Sequence, residues 1–407
     1  MHAAEHADFR AEVRSWLDAN AVRRAPNASR FKARMAKTHV TPTEVLAHVE
    51  ACKGWQRKIF AAGYAGLDVP IAYGGQGRTA AEAAIFRDEA GRYDIETDLF
   101  SVGLGMVIPT LLIHGTEAQK RQHLPALLRG DVVWCQLFSE PGAGSDLAGL
   151  TTRAVRVDDA WVVDGQKVWN SDAHLAQWGI LLARTNWDVP KHRGITYFLL
   201  DMATPGVEVR PLRQITGVAH FNETFLTGVR IVDRDVLGQV DGGWAVAHTT
   251  LMAERVLIGG AGTGLGFGDF VELGLQYRRN DEPQMRQRLA MAYSRFEILR
   301  WLGARAAANE GRGAGAEGSV TKLAVSAHAA LNGDLALALQ GAEGMLARDD
   351  AADEGFWQQL FLSQWAVRIG GGTEQVQRNI IGERVLGLPP EARPDKTAPF
   401  RDVPRNG

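Results

Sequence analysis

Residues 138–146, Phe138-Ser139-Glu140-Pro141-Gly142-Ala143-Gly144-Ser145-Asp146, form a Pro-Gly turn between two strand-like runs. Pro141 fixes φ, while Gly142 and Gly144 admit backbone shapes that other residues resist, which predicts a rigid turn able to aim amides and hydroxyls at a ligand. The residue types leave two uses open, a structural turn or a cradle for a phosphate or cofactor. A second stretch, Lys167-Val168-Trp169-Asn170-Ser171, sets an indole and a hydroxyl two positions apart. By periodicity alone, Trp169 reads as an ordinary core aromatic. Glu254-Arg255 is a third place to look for chemistry: it is a carboxylate able to take a proton, or a solvated pair on a helix surface.

These groups need elements to position them. From residue 9 to about 130, apolar residues recur at helical spacing, as at Val45, Val49, Trp55 and Ile59, with glycine and proline punctuation at 66–77. Near Val132 the pattern changes to short alternating runs rich in Val, Ile, Thr and Trp. Runs 155–157 and 161–163 flank Asp158-Asp159-Ala160 and predict a hairpin; 180–183, 195–200, 207–209 and 225–231 supply further strands, and the β-region closes at 236–238. Helical spacing returns from Trp244, with good helix formers over 284–305 and 319–339. After Leu388 come five prolines and mixed charge, which predict a tail that is poorly ordered or draped on the surface. The expected divisions are 1–131, 132–238, 239–388 and a tail at 389–407.

The segment 259–268, GGAGTGLGFG, has six glycines. Each costs a helix interior about 1 kcal/mol relative to alanine. It lacks both the GxGxxG spacing and a preceding strand, so a dinucleotide or P-loop reading fails on context.

Composition narrows the function. At 407 residues, with 45% hydrophobic and 23% charged content, the chain can bury a large core in two or three domains. A net charge of −2 gives no field for nucleic acid or an anionic membrane. There is no run of eighteen apolar residues, and the charged first twenty residues lack a signal-peptide core, so a cytoplasmic location with no membrane partner is expected. Cys52 and Cys135 are the two cysteines and form no CxxC pair; neither a disulfide framework nor a cysteine-based metal site is expected.

The stretches at 138–146 and 167–171 together resemble the two flavin-binding signatures of the acyl-CoA dehydrogenase family. Trp55-Gln56, 66–70, 73–77, His114-Gly115-Thr116 with Gln119, and Leu124-Pro125 resemble that family's first helical domain, and Gly242-Gly243-Trp244 resembles its exit from the β-domain. The resemblance implies an α+β fold: an N-terminal helical domain, a central β-barrel domain and a C-terminal four-helix bundle, with segment 259–268 helical. It implies FAD as cofactor. A flavin needs an apolar wall for its rings, partners for its polar edge and donors for its pyrophosphate. By resemblance Leu137 and Ser139 meet the ring edge, Gly144 and Ser145 lie near the pyrophosphate, Trp169 packs on the isoalloxazine and Ser171 bonds the central ring. The family more often has threonine at the positions of Ser139 and Ser171, and a hydroxyl replaces a hydroxyl.

Residues 370–381, GGGTEQVQRNII, resemble the family's third signature, Glu-Gly-Thr-x-x-Ile-Gln-Arg. Gly372 then binds the thioester carbonyl through its amide, and Thr373 and Gln375 touch the cofactor. The glutamate that many members place at the first position is here Gly371. Proton removal beside a thioester carbonyl needs a positioned base, worth about 10² to 10⁴ in rate. A branch of the family carries the base on the first helix of the last domain, and Glu254 falls there; Arg255 shapes the pocket by the same resemblance. The implied reaction is α,β-dehydrogenation of an acyl-CoA to the 2-enoyl-CoA. Glu254 takes the α-proton, hydride passes to the flavin, and an electron-transfer flavoprotein or another acceptor reoxidises it.

Two segments depart from the family pattern, 277–281 (YRRND) and 338–344 (ALQGAEG), where members commonly reach the cofactor of a neighbouring subunit. Three readings therefore stand: an acyl-CoA dehydrogenase using Glu254, a non-catalytic or half-site subunit of a heteromeric one, or a flavin oxidase or monooxygenase on the same fold. A homo- or hetero-oligomer, dimer or tetramer, is expected, and no metal.

Overall fold

The computed structural model describes residues 2–24, 41–260, 265–308, 317–347, 350–392 and 396–404. They form two compact units. One holds the described residues up to Arg23, those from 41 to Ala253 and those from Ala392 on; the other holds Arg24 and those from Glu254 to Glu391.

The first unit begins with helices α1 (His2–Asn20), α2 (Pro42–Ala61), α3 (Ala80–Ala90), α4 (Ile108–His114) and α5 (Glu117–Arg129). Thr41, Thr79 and Thr116 open α2, α3 and α5 with capping boxes completed by Glu44, Glu82 and Gln119, each satisfying two otherwise orphaned amides. Buried Gln119 also donates to the carbonyls of Arg234 and Val236, at 2.8 and 2.9 Å. Its helix is thereby tied to the end of the sheet.

That sheet has eight strands: β1 (Trp134–Leu137), β2 (Arg153–Val157), β3 (Ala160–Val168), β4 (Trp178–Arg184), β5 (Ile195–Asp201), β6 (Val207–Leu212), β7 (Phe221–Val232) and β8 (Val236–Leu237). The order is β6-β7-β3-β2-β4-β5-β8, with β1 parallel to β4 and off that path. The β2–β3 hairpin pairs Val157 with Ala160 across Asp158 and Asp159, and Asp158 takes φ 56°, a backbone that aspartate tolerates better than most residues. β4 and β5 are nearly continuous apolar runs because both faces are covered. Ile180, Leu182, Tyr197 and Leu199 pack with Leu111, Leu124 and Leu127 of the helices, while alternate residues Leu181, Ala183, Phe198 and Leu200 pack with Trp161, Val163 and Leu226.

The described tail residues 396–404 run over the surface, as one of the two expectations had it, and are anchored at Phe400. Phe400 is buried, its amide donates to the Val189 carbonyl, and the Arg184 guanidinium lies 3.5 Å over its ring.

Helix α6 (Gly243–Gly260) runs from the first unit into the residues of the second. Residues 261–264 of the glycine-rich segment lie outside the described residues. Leu265 and Gly266 are not helical: Gly266 is extended and caps α7 (Phe267–Gln276), its amide donating to Asp269. The expected helix over 259–268 is therefore not continuous at 265–266.

In the second unit α7, α8 (Pro283–Ala308), α9 (Glu317–Gln340) and α10 (Phe356–Ile369) enclose one core of Phe270, Leu273, Leu289, Leu335, Leu339 and Trp357. A short helix α11 (Glu374–Ile380) follows.

Candidate functional site

In the first unit the two flavin-like signatures lie side by side. The Val168 amide donates to the Ser139 carbonyl at 2.9 Å, and Asn170 Nδ2 donates to the Gln136 carbonyl at 2.8 Å. Lys167, fully buried, donates to the Phe138 carbonyl at 3.0 Å and to Glu140 Oε1 at 2.8 Å. Glu140 also accepts from the Thr151 amide and hydroxyl and from the Thr152 amide, at 2.7, 3.0 and 2.9 Å. Burial alone would push this carboxyl up, but the Lys167 charge and the converging donors outweigh it and hold the group at about 2. β3 approaches so closely that a Cβ on Gly165 would meet Thr152 Cα at 2.7 Å, so only glycine leaves room for this clamp.

The turn itself differs from expectation. Glu140 and Ala143 exchange both backbone hydrogen bonds, at 3.0 and 3.1 Å, around Pro141 and Gly142. Neither Gly142 nor Gly144 is among the residues with positive φ, and a Cβ on either would meet nothing within 4 Å. Their smallness leaves the surface of the turn open; the backbone does not require glycine there.

Trp169 overturns its periodicity-based reading. Its side chain is 60% exposed and its φ is 64°, rare for a bulky residue. Strain of this kind persists where neighbours over-determine it. Here Asn170 supplies them: buried, it donates from its amide to the Asn222 carbonyl, while its own carbonyl accepts from Asn222 Nδ2 and its side-chain oxygen accepts from Thr224. Phe221 meets the indole edge-on at 5.9 Å. Leu137 is buried, Ser139 and Ser171 are half-buried, and Gly144 and Ser145 are exposed. An exposed indole beside half-buried hydroxyls and an open glycine turn fits a flat, polar-edged aromatic cofactor such as a flavin.

The second unit gathers the other candidates. Glu254 and Arg255 are half-buried on α6. Burial, then the charge of Arg384, lowers the affinity of Arg255 for its proton, with Glu254 acting the other way. Buried Lys322 donates to Ser326 Oγ at 3.0 Å and to the Val367 carbonyl at 2.8 Å, capping α10 near its end. Burial lowers its pKa, opposed by the carboxylates of Glu374 and Glu254. Glu254 thus shares an electrostatic neighbourhood with the loop after α10.

In that loop Gly371 and Gly372 take φ 64° and 88°. Buried Gln377 donates to the Gly371 carbonyl at 3.1 Å, and a Cβ on Gly372 would come within 2.6 Å of Gln377 Nε2. Thr373 caps α11, accepting from the Val376 amide at 3.2 Å, while Gln375 is exposed. The two departing segments meet each other: Arg279 donates to the Ala338 carbonyl at 3.3 Å, and burial with a hydrogen bond to Glu343 pushes the Tyr277 phenol up to about 12.

Sequence reading missed Glu140, Lys167, Asn170, Lys322 and Gln377 as the groups that hold these segments in shape. Lys167 follows Asp164-Gly165-Gln166, a polar run that gives no signal of its burial.

Three family models match consecutive parts of the chain: acyl-CoA dehydrogenase N-terminal domain over 3–131, middle domain over 135–229 and C-terminal domain over 241–386. Acyl-CoA dehydrogenase IpdE1 of Mycobacterium tuberculosis is 38% identical over 396 residues, 95% of this chain and 98% of that protein. Acyl-CoA dehydrogenase FadE34 of the same organism is 42% identical over 326 residues, 79% of this chain but 44% of that protein, so the chain spans less than half of its length. Among solved structures, the Tcur3481-Tcur3483 steroid ACAD matches with a TM-score of 0.78 and 29% identity, covering 95% of this chain and 98% of that one. The ChsE4-ChsE5 complex from Mycobacterium tuberculosis gives 0.75 and 28%, covering 95% and 98%. With all three domains matched in order, an α+β fold of helices, sheet and helices, and close relatives along nearly its whole length, the chain belongs to the acyl-CoA dehydrogenase family of FAD-dependent oxidoreductases.

Proposed function

We propose that this acyl-CoA dehydrogenase converts an acyl-CoA thioester to its 2-enoyl-CoA with Glu254 as the base. The observation that carries the reading is the loop after α10: glycine in a left-handed conformation stands at the signature's first position, while Lys322, which caps the helix leading to it, is under the influence of Glu254. When bound, FAD supplies the acceptor for hydride from the β-carbon. The Glu254 carboxylate takes the α-proton. The Gly372 amide donates to the thioester oxygen as negative charge develops there, in a loop held by Gln377. Arg255 shapes the acyl pocket. Leu137, Ser139, Gly144, Ser145, Trp169 and Ser171 hold the cofactor, and Thr373 and Gln375 keep the role that the third signature assigns them.

The acyl group proposed is a bulky, steroid-derived one, a reading supported by the neighbour at 29% identity described as a steroid ACAD. An electron-transfer flavoprotein is the acceptor proposed, and the cytoplasm the compartment, in keeping with two buried cysteines that form no disulfide. Oligomer formation is supported by Met291, Ile298 and Trp301, exposed on one side of α8 at helical spacing. Reconstitution with FAD followed by anaerobic titration with straight-chain, branched and steroid-derived acyl-CoA esters tests the proposal. Bleaching of the flavin by the steroid esters is expected; a yellow protein bleached by none of them refutes it.

A second reading, a half-site subunit needing a related partner chain, is favoured by the mutual engagement of segments 277–279 and 338–343. Bleaching that appears only after co-expression with that partner would select it.

A further inference from the structure

His48 and Cys52 stand four residues apart on α2, and Glu96 and Asp98 face them from the segment that leads into the short 3-10 turn Asp98–Phe100. Cys52 is fully buried against Val49, Leu99, Phe100 and Val133. Its sulfur lies 3.5 Å from His48 Nε2 and 3.8 Å from one oxygen of Asp98; the other Asp98 oxygen is 3.3 Å from the same nitrogen. The opposite ring nitrogen, Nδ1, is 3.2 Å from Glu96 Oε2.

These distances are near those of a ligand set, with the Asp98 carboxylate presenting one oxygen to the sulfur and the other to the nitrogen. Zinc bonds of about 2.3 Å to sulfur and about 2.0–2.2 Å to nitrogen and oxygen, at tetrahedral angles, separate the ligands by about 3.6 Å for sulfur with nitrogen or oxygen and about 3.4 Å for nitrogen with oxygen. We infer that His48 Nε2, the Cys52 thiolate and the Asp98 carboxylate form a zinc-class divalent metal site, with Glu96 holding the imidazole from behind. A carboxylate on the second ring nitrogen is the usual outer partner of a metal-bound histidine, fixing the tautomer that offers Nε2 to the metal. Asp98 is the exposed edge of the cluster, its side chain 38% accessible, and water completes the tetrahedron from that side. A single thiolate with one imidazole and one carboxylate favours zinc or cobalt over calcium or magnesium, which take oxygen ligands. The site joins α2 to the turn packed on Val133, the residue before β1. It is structural.

The rival is an ion pair, with the imidazole protonated between two carboxylates; hydrogen bonds to Asp98 and Cys52 favour that form, raising its pKa to about 10. Cobalt separates the two. The full chain, freed of metal by chelator and dialysis, is titrated with Co²⁺ while its absorption is followed. One equivalent is expected to produce a thiolate-to-cobalt band in the near ultraviolet and tetrahedral bands in the visible, and Zn²⁺ is expected to displace them. Cys52→Ser should abolish the thiolate band, Asp98→Asn and Glu96→Gln should weaken cobalt binding about 10-fold or more, and Cys135→Ser should leave the spectrum unchanged. Far-UV circular dichroism of each metal-free variant checks its fold, and partly exposed Asp98 is the change least able to disturb it. Absence of the thiolate band at stoichiometric Co²⁺, or its survival in folded Cys52→Ser, overturns the site and leaves the ion pair.

Discussion

Lys167 Nζ lies 2.8 Å from Glu140 Oε1, both groups buried, and this pair fixes the open turn at 141–144 to the strand that ends beside Trp169. Replacing one partner leaves the other as an uncompensated buried charge, so Lys167→Met or Glu140→Leu should destabilise the fold by about 3–5 kcal/mol. Equilibrium urea denaturation measures this. A loss below about 1 kcal/mol would show the pair to be dispensable. The double apolar replacement should recover part of the loss.

The same pair sets an acid limit. Glu140 titrates at about 2 in the fold instead of near its ordinary 4.5, so the folded state holds fewer protons than the unfolded chain between those values. Its contribution is complete above about pH 4.5 and is lost as the pH falls through about 2. Across this window Glu140→Gln should flatten the pH dependence of stability, measured by thermal melts of the cofactor-free protein. Parallel curves for the parent and the variant would contradict the assignment.

Trp169 is strained and exposed, so its truncation should spare the fold and weaken the cofactor. Trp169→Ala is expected to cost well under the roughly 3–5 kcal/mol of a core aromatic, while FAD dissociates at least about 10-fold more readily. Trp169→Gly should be the more stable of the two, because glycine adopts φ 64° without penalty. Melts and flavin-fluorescence titrations give both quantities, and a large loss of stability with FAD affinity intact would return the indole to the core.

Phe400 tests the tail. Buried beneath the Arg184 guanidinium, it should cost about 3–5 kcal/mol when replaced by alanine, a loss that a tail without this anchor would not show. Urea denaturation of Phe400→Ala decides between them.

Much of the architecture was legible because the apolar period changes at Val132, which placed helices before it and strands after it. β7 was read as 225–231 but spans Phe221–Val232, since its early positions bury Asn222 and Thr224 as hydrogen-bond partners of Asn170, a use of polar residues that periodicity cannot register. Trp169 resisted for a related reason: its exposure depends on a left-handed backbone that neighbours impose. The partnership of Glu140 with Lys167 joins positions 27 apart, and nothing in the spacing of either names the other.

Glu254 carries the proposed chemistry, and Gly371 is why the base is sought there. Glu254→Gln keeps size and hydrogen bonding but removes basicity, so single-turnover flavin reduction by a competent acyl-CoA should slow by at least about 10² with FAD content unchanged. Restoring a carboxylate at Gly371 is the less favourable complement: φ 64° costs any other residue about 1–2 kcal/mol, and the Gly371 carbonyl is held by Gln377. Gly371→Glu in the Glu254→Gln background should therefore recover little activity and lower the thermal midpoint. Full recovery would mean that the loop relaxes to accept the side chain. Unchanged reduction in Glu254→Gln alone would remove this residue from the chemistry and return Glu254-Arg255 to a helix surface pair.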